Sequence, residues 1–197
     1  VQSEMVQIAG VAPIMVYLVD SDQVLTLTGV GPWPKAASLD RFVQEFGEVP
    51  IGILRTVVPA APDANIQALG RWGTMTFGEV SSAAIRYARD GFPMHEMMRA
   101  YIEAHQDVYR MWPQNAEIYL PDDAPPVIGK SFKQKDLAKS LQYMADEEKS
   151  ANGAGRQAGL DAARDAFYKG DLAAAIVKYH AENEGLLTAE DLAGIQK

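Results

Sequence analysis

The sequence predicts an α+β fold in which a few strands precede a longer helical region. Short apolar runs near the start of the chain have the length and the β-branched content of strands. Further along, apolar residues recur at helical spacing. Strands that come first and helices that follow are typical of an α+β domain. A length of 197 residues makes one domain, residues 1–197, the default expectation.

The first predicted element is a β-hairpin of buried strands. Residues 14–19 form a continuous apolar run, residues 20–22 supply turn-forming side chains, and residues 24–28 resume in β-branched and apolar residues. Pro32 and Pro34 then interrupt regular structure, because proline has no backbone N–H and restricts the residue before it.

A short helix and one more strand are predicted after this break. Residues 39–46 favour a helix, which Gly47 can end because glycine accepts the left-handed conformation. Residues 51–58 are apolar and β-branched enough to form a buried strand that ends before Pro59.

Two helices with clear boundaries follow. Thr76 and Glu79 have the spacing of a capping box, and the helix they begin should stop at Gly91 and Pro93. Residues 94–105 predict the next helix. Its inward side chains are expected to be Met97, Met98, Tyr101 and Ile102.

The last third of the chain is predicted to be helical apart from two loops. Residues 120–126 are rich in proline and form a loop, and the small residues at 150–155 predict a linker after a helix through residues 137–145. Two or three short helices complete the chain. Thr188 and Asp191 form a second capping box at the start of the last one. Leu187 and Leu192 flank that box as a hydrophobic staple.

Composition narrows the function classes. A formal net charge of −8 argues against a nucleic-acid or anionic-membrane partner. No apolar run approaches the roughly 20 residues that span a bilayer. The absence of cysteine excludes disulfides, thiolate metal sites and cysteine nucleophiles. We expect a soluble protein without a cofactor or a metal, and the compartment is open between periplasm and cytoplasm.

Local motifs carry no catalytic signature. Residues 124–131 end like a phosphate-binding loop, but that motif needs glycine where Ala124 stands. His95 and Glu96 begin a zinc-helix motif whose second ligand position is Arg99, and a guanidinium would repel a metal. From the residues alone, the prediction stops at an α+β domain.

Several segments match one family in order along the chain. "AFYKGDLA" at residues 166–173 and "GLLTAEDLA" at residues 185–193 resemble the end of the large subunit of γ-glutamyltransferases. Residues 8–17 fall where that family has a glycine run followed by a core strand, and residues 77–94 match a helix that ends in "GFP". The chain is therefore identified as a member of the γ-glutamyltransferase family, as a portion of its large subunit.

The resemblance implies a fold, a partner and a chemistry. The family forms αββα sandwiches of the N-terminal-nucleophile hydrolase class. A precursor cleaves itself, and the new N-terminal threonine of the small subunit attacks an amide or γ-glutamyl-like substrate, as in glutathione metabolism. Val1 has no hydroxyl and the threonines of this chain are internal. We therefore expect no catalytic residue here and a heterodimer with a small subunit that carries the threonine.

The substrate-binding positions depart from the family. The arginine that clamps the substrate's α-carboxylate falls at Val30, and the neighbouring glutamate falls at Gly31. Valine cannot replace a bidentate, charge-assisted pair. These losses predict either an enzyme for another amide, as in acylase-like relatives, or a non-catalytic scaffold or binding protein that keeps the family fold.

Overall fold

The computed structural model describes residues 7–195, so Val1 lies outside the described residues. The strands are β1 (Ile14–Leu18), β2 (Gln23–Leu27), β3 (Phe92–Pro93) and β4 (Ser131–Phe132). The α-helices are α1 (Leu39–Arg41), α2 (Ala61–Trp72), α3 (Phe77–Asp90), α4 (Glu96–Ala104), α5 (Gln106–Arg110), α6 (Pro113–Tyr119), α7 (Lys135–Ala151), α8 (Arg156–Tyr168), α9 (Asp171–Glu182) and α10 (Ala189–Ala193).

The chain divides into two compact units. Residues 78–143 belong to one, which we call the middle unit, and the described residues 8–77 and 144–195 belong to the other, which we call the flanking unit. Between residues 7 and 195, no helix is long and apolar enough to cross a membrane.

The middle unit is built around a small aromatic and methionine core. β3 and β4 pair antiparallel, with Phe92 opposite Phe132 and their ring centroids 5.7 Å apart. Met98 and Ile102 of α4 are fully buried against this pair. The predicted helix at residues 94–105 is thus confirmed as α4.

The predicted inner face of α4 is only half right. Met97 and Tyr101 are 59% and 43% exposed, whereas Met98 and Ile102 have no exposed surface. The buried stripe is therefore narrower than the run of apolar residues, because only the positions at spacing i and i+4 from Met98 contact the core.

In the flanking unit, the predicted β-hairpin is confirmed but its burial is not. β1 pairs with β2 antiparallel in the register Ile14 to Leu27 through Leu18 to Gln23. Met15 is 74% exposed and Val24 is 59% exposed. The prediction of buried strands is wrong for the described residues, because this sheet has two strands and nothing among them covers its outer face.

The predicted short helix is confirmed, and the predicted strand after it is wrong. α1 continues as a π-helical turn at Phe42–Phe46, which ends at Gly47 with a φ of 71°. Residues 51–58 are irregular, with a 3₁₀ turn at Ile53–Arg55. Their hydrogen bonds go to loop carbonyls instead of a neighbouring strand; for example, the N–H of Val58 donates to Pro32 O at 2.9 Å.

In the flanking unit, α8 packs against α2, α9 and α10. α2 is not among the predicted elements, because Pro59 and Pro62 suggest a break; Pro62 nevertheless lies in the first turn, where proline is tolerated. The predicted linker at residues 150–155 is only partly right, since α7 extends to Ala151 and a 3₁₀ turn follows. The box of Thr188 and Asp191 is confirmed.

Candidate functional site

A cavity of about 540 Å³ lies in the flanking unit. Its wall comes from three parts of the chain: the end of β2 with the loop after it, the first half of α2, and the residues after α10. The lining residues are Thr26, Leu27, Thr28, Gly29, Val30, Pro32, Ala60, Asp63, Ala64, Gln67, Gly194 and Ile195. Val30, one of the two predicted site residues, is therefore in the wall, and Gly31 lies between two lining residues.

The loop that carries Val30 is fixed by backbone contacts on both sides. Gly29 has a φ of 51° and its carbonyl accepts the N–H of Ala12 at 2.8 Å. Gly31 lies against the backbone of Val58, where a Cβ added to Gly31 would come within 1.6 Å of the Val58 carbonyl oxygen. Position 31 therefore has no room for a side chain in this conformation.

The start of α2 offers no free backbone donor to the cavity. The N–H groups of residues 60 and 61 both donate to Gly10 O, at 3.0 and 2.9 Å. Pro62 has no N–H, and the N–H of Asp63 donates to the Tyr168 hydroxyl at 3.1 Å. Helix N-termini bind anions through such groups. Here the described N–H groups already donate to other groups of the protein.

A buried ion pair joins Asp63, in the cavity wall, to Arg164 of α8. The Asp63 carboxylate accepts hydrogen bonds from Arg164 Nε and from Gln67 Nε2. The Asp63 and Arg164 side chains are only 8% and 4% exposed. Arg164 also donates through Nη2 to Ile195 O at 2.9 Å, and its guanidinium lies 5.0 Å from the centroid of the Tyr168 ring. The pair thus links α2, α8 and the residues after α10.

Tyr168 completes this network. Its hydroxyl donates to Pro59 O at 2.7 Å and accepts the N–H of Asp63. Burial, more than any other factor, raises the pKa of the Tyr168 hydroxyl well above its ordinary value. The hydroxyl therefore keeps its proton at physiological pH and continues to donate to the turn that begins α2.

Comparison with known proteins identifies the family of this chain. A model of the family described as gamma-glutamyltranspeptidase matches residues 1–196. The chain belongs to the γ-glutamyltranspeptidase family. The family resemblance seen in the sequence is thereby confirmed.

Individual relatives agree with that assignment. The chain is 30% identical over 134 residues to the "glutathione hydrolase-like YwrD proenzyme" of Bacillus subtilis (strain 168), a match that covers 68% of this chain and 23% of the relative. It is 31% identical over 143 residues to the "acylase ACY 1 proenzyme" of Pseudomonas sp. (strain SE83), covering 73% of this chain and 23% of the acylase. The chain thus spans about a quarter of the length of these relatives.

A solved structure shows the same fold. The crystal structure of Helicobacter pylori γ-glutamyltranspeptidase superposes with a TM-score of 0.82 at 22% identity, over 96% of this chain and 51% of that one. The predicted α+β fold class is confirmed.

In this member of the γ-glutamyltranspeptidase family, the described cavity wall contains one charged side chain, Asp63. Asp63 is acidic but paired, and none of the described residues in the cavity wall is a lysine or an arginine. Thr26, Thr28 and Gln67 can hydrogen-bond a neutral polar group. In the part of the chain that the structure describes, no group of three acidic or histidine side chains could hold a metal ion.

Sequence reasoning placed one of these residues and missed the others. Val30 was named because the sequence resemblance aligns it with the family's clamp position, and its role there stays a prediction. Asp63 and Arg164 were missed because they are 101 residues apart, and neither carries a local motif. Tyr168 lies in the quoted "AFYKG" segment, but nothing in that segment predicts that its hydroxyl holds the start of α2.

Proposed function

We propose that this chain is the large-subunit portion of a γ-glutamyltransferase-like N-terminal-nucleophile amidohydrolase or acyltransferase. The family match over residues 1–196 carries the proposal. Relatives named as proenzymes, among them a glutathione hydrolase-like protein and an acylase, support a precursor that is cleaved. In this proposal the nucleophilic threonine begins the small subunit, and the present chain frames the substrate cleft.

The proposed chemistry divides amide hydrolysis into two steps. The threonine Oγ attacks the substrate carbonyl carbon while the threonine's own α-amine takes the hydroxyl proton. The amide C–N bond then breaks, the leaving amine takes that proton, and an acyl ester forms on the threonine. Water, or a second amine in the transferase reaction, attacks the ester and regenerates the hydroxyl. This chain would hold the acyl group during both steps.

The substrate we propose is an amide whose acyl group has no free α-carboxylate. Val30 stands at the position of the family's carboxylate-binding arginine, and its side chain is apolar and 59% exposed in the cavity wall. The first turn of α2 has already used its N–H groups. A carboxylate in this cavity would lose its hydration without gaining a cation to pair with. Losing roughly 4 kcal/mol would lower catalytic efficiency about a thousandfold.

Self-processing is the first test of this function. Expression of the complete precursor should yield two polypeptides, and mass spectrometry should find threonine at the start of the smaller one. Replacing that threonine with alanine should leave the precursor intact and abolish amide hydrolysis. A precursor that stays in one piece and hydrolyses no amide would contradict the enzyme proposal.

A non-catalytic scaffold or binding protein is the second candidate. The loss of the clamp supports it: Val30 carries no charge, and Gly31 has no room for the family's glutamate because of its contact with Val58. The two candidates differ in one measurable respect. Hydrolysis of any amide by the processed complex, lost on the threonine-to-alanine change, excludes the scaffold.

A further inference from the structure

The carboxylate of Asp191 is buried at the start of α10 and has two sets of partners. Its Oδ2 atom accepts the N–H of Thr188 at 3.0 Å and the Thr188 hydroxyl at 2.7 Å, which completes the capping box. Its Oδ1 atom accepts the backbone N–H of Lys35 at 3.0 Å, from a residue 156 positions away. The side chain therefore does more than a helix cap requires.

The Lys35 N–H belongs to the segment that leaves the Val30 loop. Only four residues separate Val30 from Lys35, and two of them, Pro32 and Pro34, have a restricted backbone. Pro34 O accepts the N–H of Ala37 at 2.9 Å, which closes a β-turn with Lys35 at its second position. Lys35 is therefore joined to the Val30 loop by a short, restricted segment, in which Pro32 O also accepts the N–H of Val58.

The charge on Asp191 is maintained despite burial. Desolvation raises the pKa of the Asp191 carboxyl, but the hydrogen bonds from Lys35 and Thr188 outweigh it, and the pKa lies below its ordinary value. The Lys35 ammonium pairs with Glu190 on the surface, where both side chains are largely exposed. The buried contact of Asp191 is thus with the backbone of Lys35, and the surface pair is separate from it.

We propose that Asp191 is a positioning residue for the cavity: its carboxylate holds the backbone of Lys35 and thereby fixes the Val30 loop as part of the cavity wall. Its effect on substrate binding rests on the proposed function. Its effect on the loop does not.

Four variants of the complete precursor separate this role from helix capping. Asp191→Asn replaces one acceptor oxygen with an amide donor that faces either the Lys35 N–H or Thr188. Lys35→Pro removes the donor instead, keeps the capping box, and suits the second position of the turn. Thr188→Ala weakens the cap but leaves the bond to Lys35. Glu190→Gln removes only the surface pair.

Hydrogen exchange of the peptide that covers residues 28–37 is the first readout. Losing a hydrogen bond to a charged group should speed exchange in this peptide about tenfold in Asp191→Asn. Lys35→Pro should do the same at the remaining amides, even if Asp191→Asn fails to fold. Thr188→Ala and Glu190→Gln should change it by less than about twofold. Equal acceleration in Asp191→Asn and Thr188→Ala, or no acceleration in Lys35→Pro, would overturn the proposal.

Steady-state kinetics on an amide substrate is the second readout. Asp191→Asn and Lys35→Pro should raise KM about tenfold while kcat changes less than about threefold, because the wall that binds the acyl group is loosened and the nucleophile is not. An unchanged KM in an active enzyme refutes the positioning role. Local acceleration of exchange in a protein without amide hydrolysis would support the positioning of the loop and refute the proposed function instead.

Discussion

The buried pair of Asp63 and Arg164 yields a stability prediction that the structure makes quantitative. With side chains 8% and 4% exposed, the two groups are removed from water and depend on each other. Arg164→Met leaves the Asp63 carboxylate buried without its cation and Ile195 O without its donor. Removing one partner of a buried pair costs about 3–5 kcal/mol, whereas an exposed pair contributes about 0–1 kcal/mol.

Denaturation of the protein that carries this chain measures the effect. Trp33 and Trp72 lie in the flanking unit and Trp112 lies in the middle unit, so fluorescence in a Trp112→Phe background reports the unfolding of the flanking unit in urea. A loss of 3–5 kcal/mol corresponds to a decrease in Tm of about 6–20 °C for a domain of 150–250 residues. The matched surface control in the same unit is Lys178→Met, which breaks a pair with Glu182 whose side chains are 75% and 60% exposed, and it should change stability by less than about 0.5 kcal/mol.

A double variant tests the reasoning itself. Asp63→Leu combined with Arg164→Met removes both charges, so it should recover most of the stability that Arg164→Met loses. The electrostatic explanation is refuted if Arg164→Met costs less than about 1 kcal/mol, or if the double variant is less stable than the single one.

Three further predictions concern separate parts of the chain. Met98→Ala should cost about 2–5 kcal/mol in the middle unit, since the side chain is fully buried, and a loss below about 1 kcal/mol in urea unfolding would contradict that packing. Gly31→Ala should lower Tm and alter the loop, since its Cβ would meet Val58 O; an unchanged Tm would show that the loop has space. Burial lowers the pKa of His180 below its ordinary 6.5. The unfolded state therefore binds the proton more readily, and stability falls as pH drops below about 6.5. His180→Gln should flatten that dependence in denaturation at several pH values, and an unaltered slope would exclude His180 as its source.

Local sequence patterns predicted some strands and helices of this chain correctly and others wrongly. Residues 14–28 could be predicted as a hairpin because β-branched runs and a polar turn are local signals. Their burial could not, since it depends on what covers the sheet. Residues 51–58 have the composition of a strand, but their N–H groups pair with loop carbonyls. α2 was not predicted because its start is rich in proline. The N–H groups at this start donate to Gly10 O.

In the candidate site too, one residue could be named from the sequence and its long-range partners could not. Val30 was named from its place in a family pattern, and the structure places it in the cavity wall. Its role at the clamp position stays a prediction. The partners of that wall were not predictable. Asp63 pairs with Arg164 and Asp191 with Lys35 across 101 and 156 residues, and no spacing rule relates such positions before the chain is folded.

The most direct test of the substrate proposal compares two amides that differ only at the α-carboxylate. The self-processed protein should be assayed with γ-glutamyl-4-nitroanilide and with the analogue in which the α-carboxylate is a neutral carboxamide. We expect kcat/KM for the carboxamide to equal or exceed that for the carboxylate, because Val30 provides no charge to either. A preference for the carboxylate of about a thousandfold, the value expected of a charge-assisted bidentate clamp, would contradict the assignment of Val30 to the clamp position.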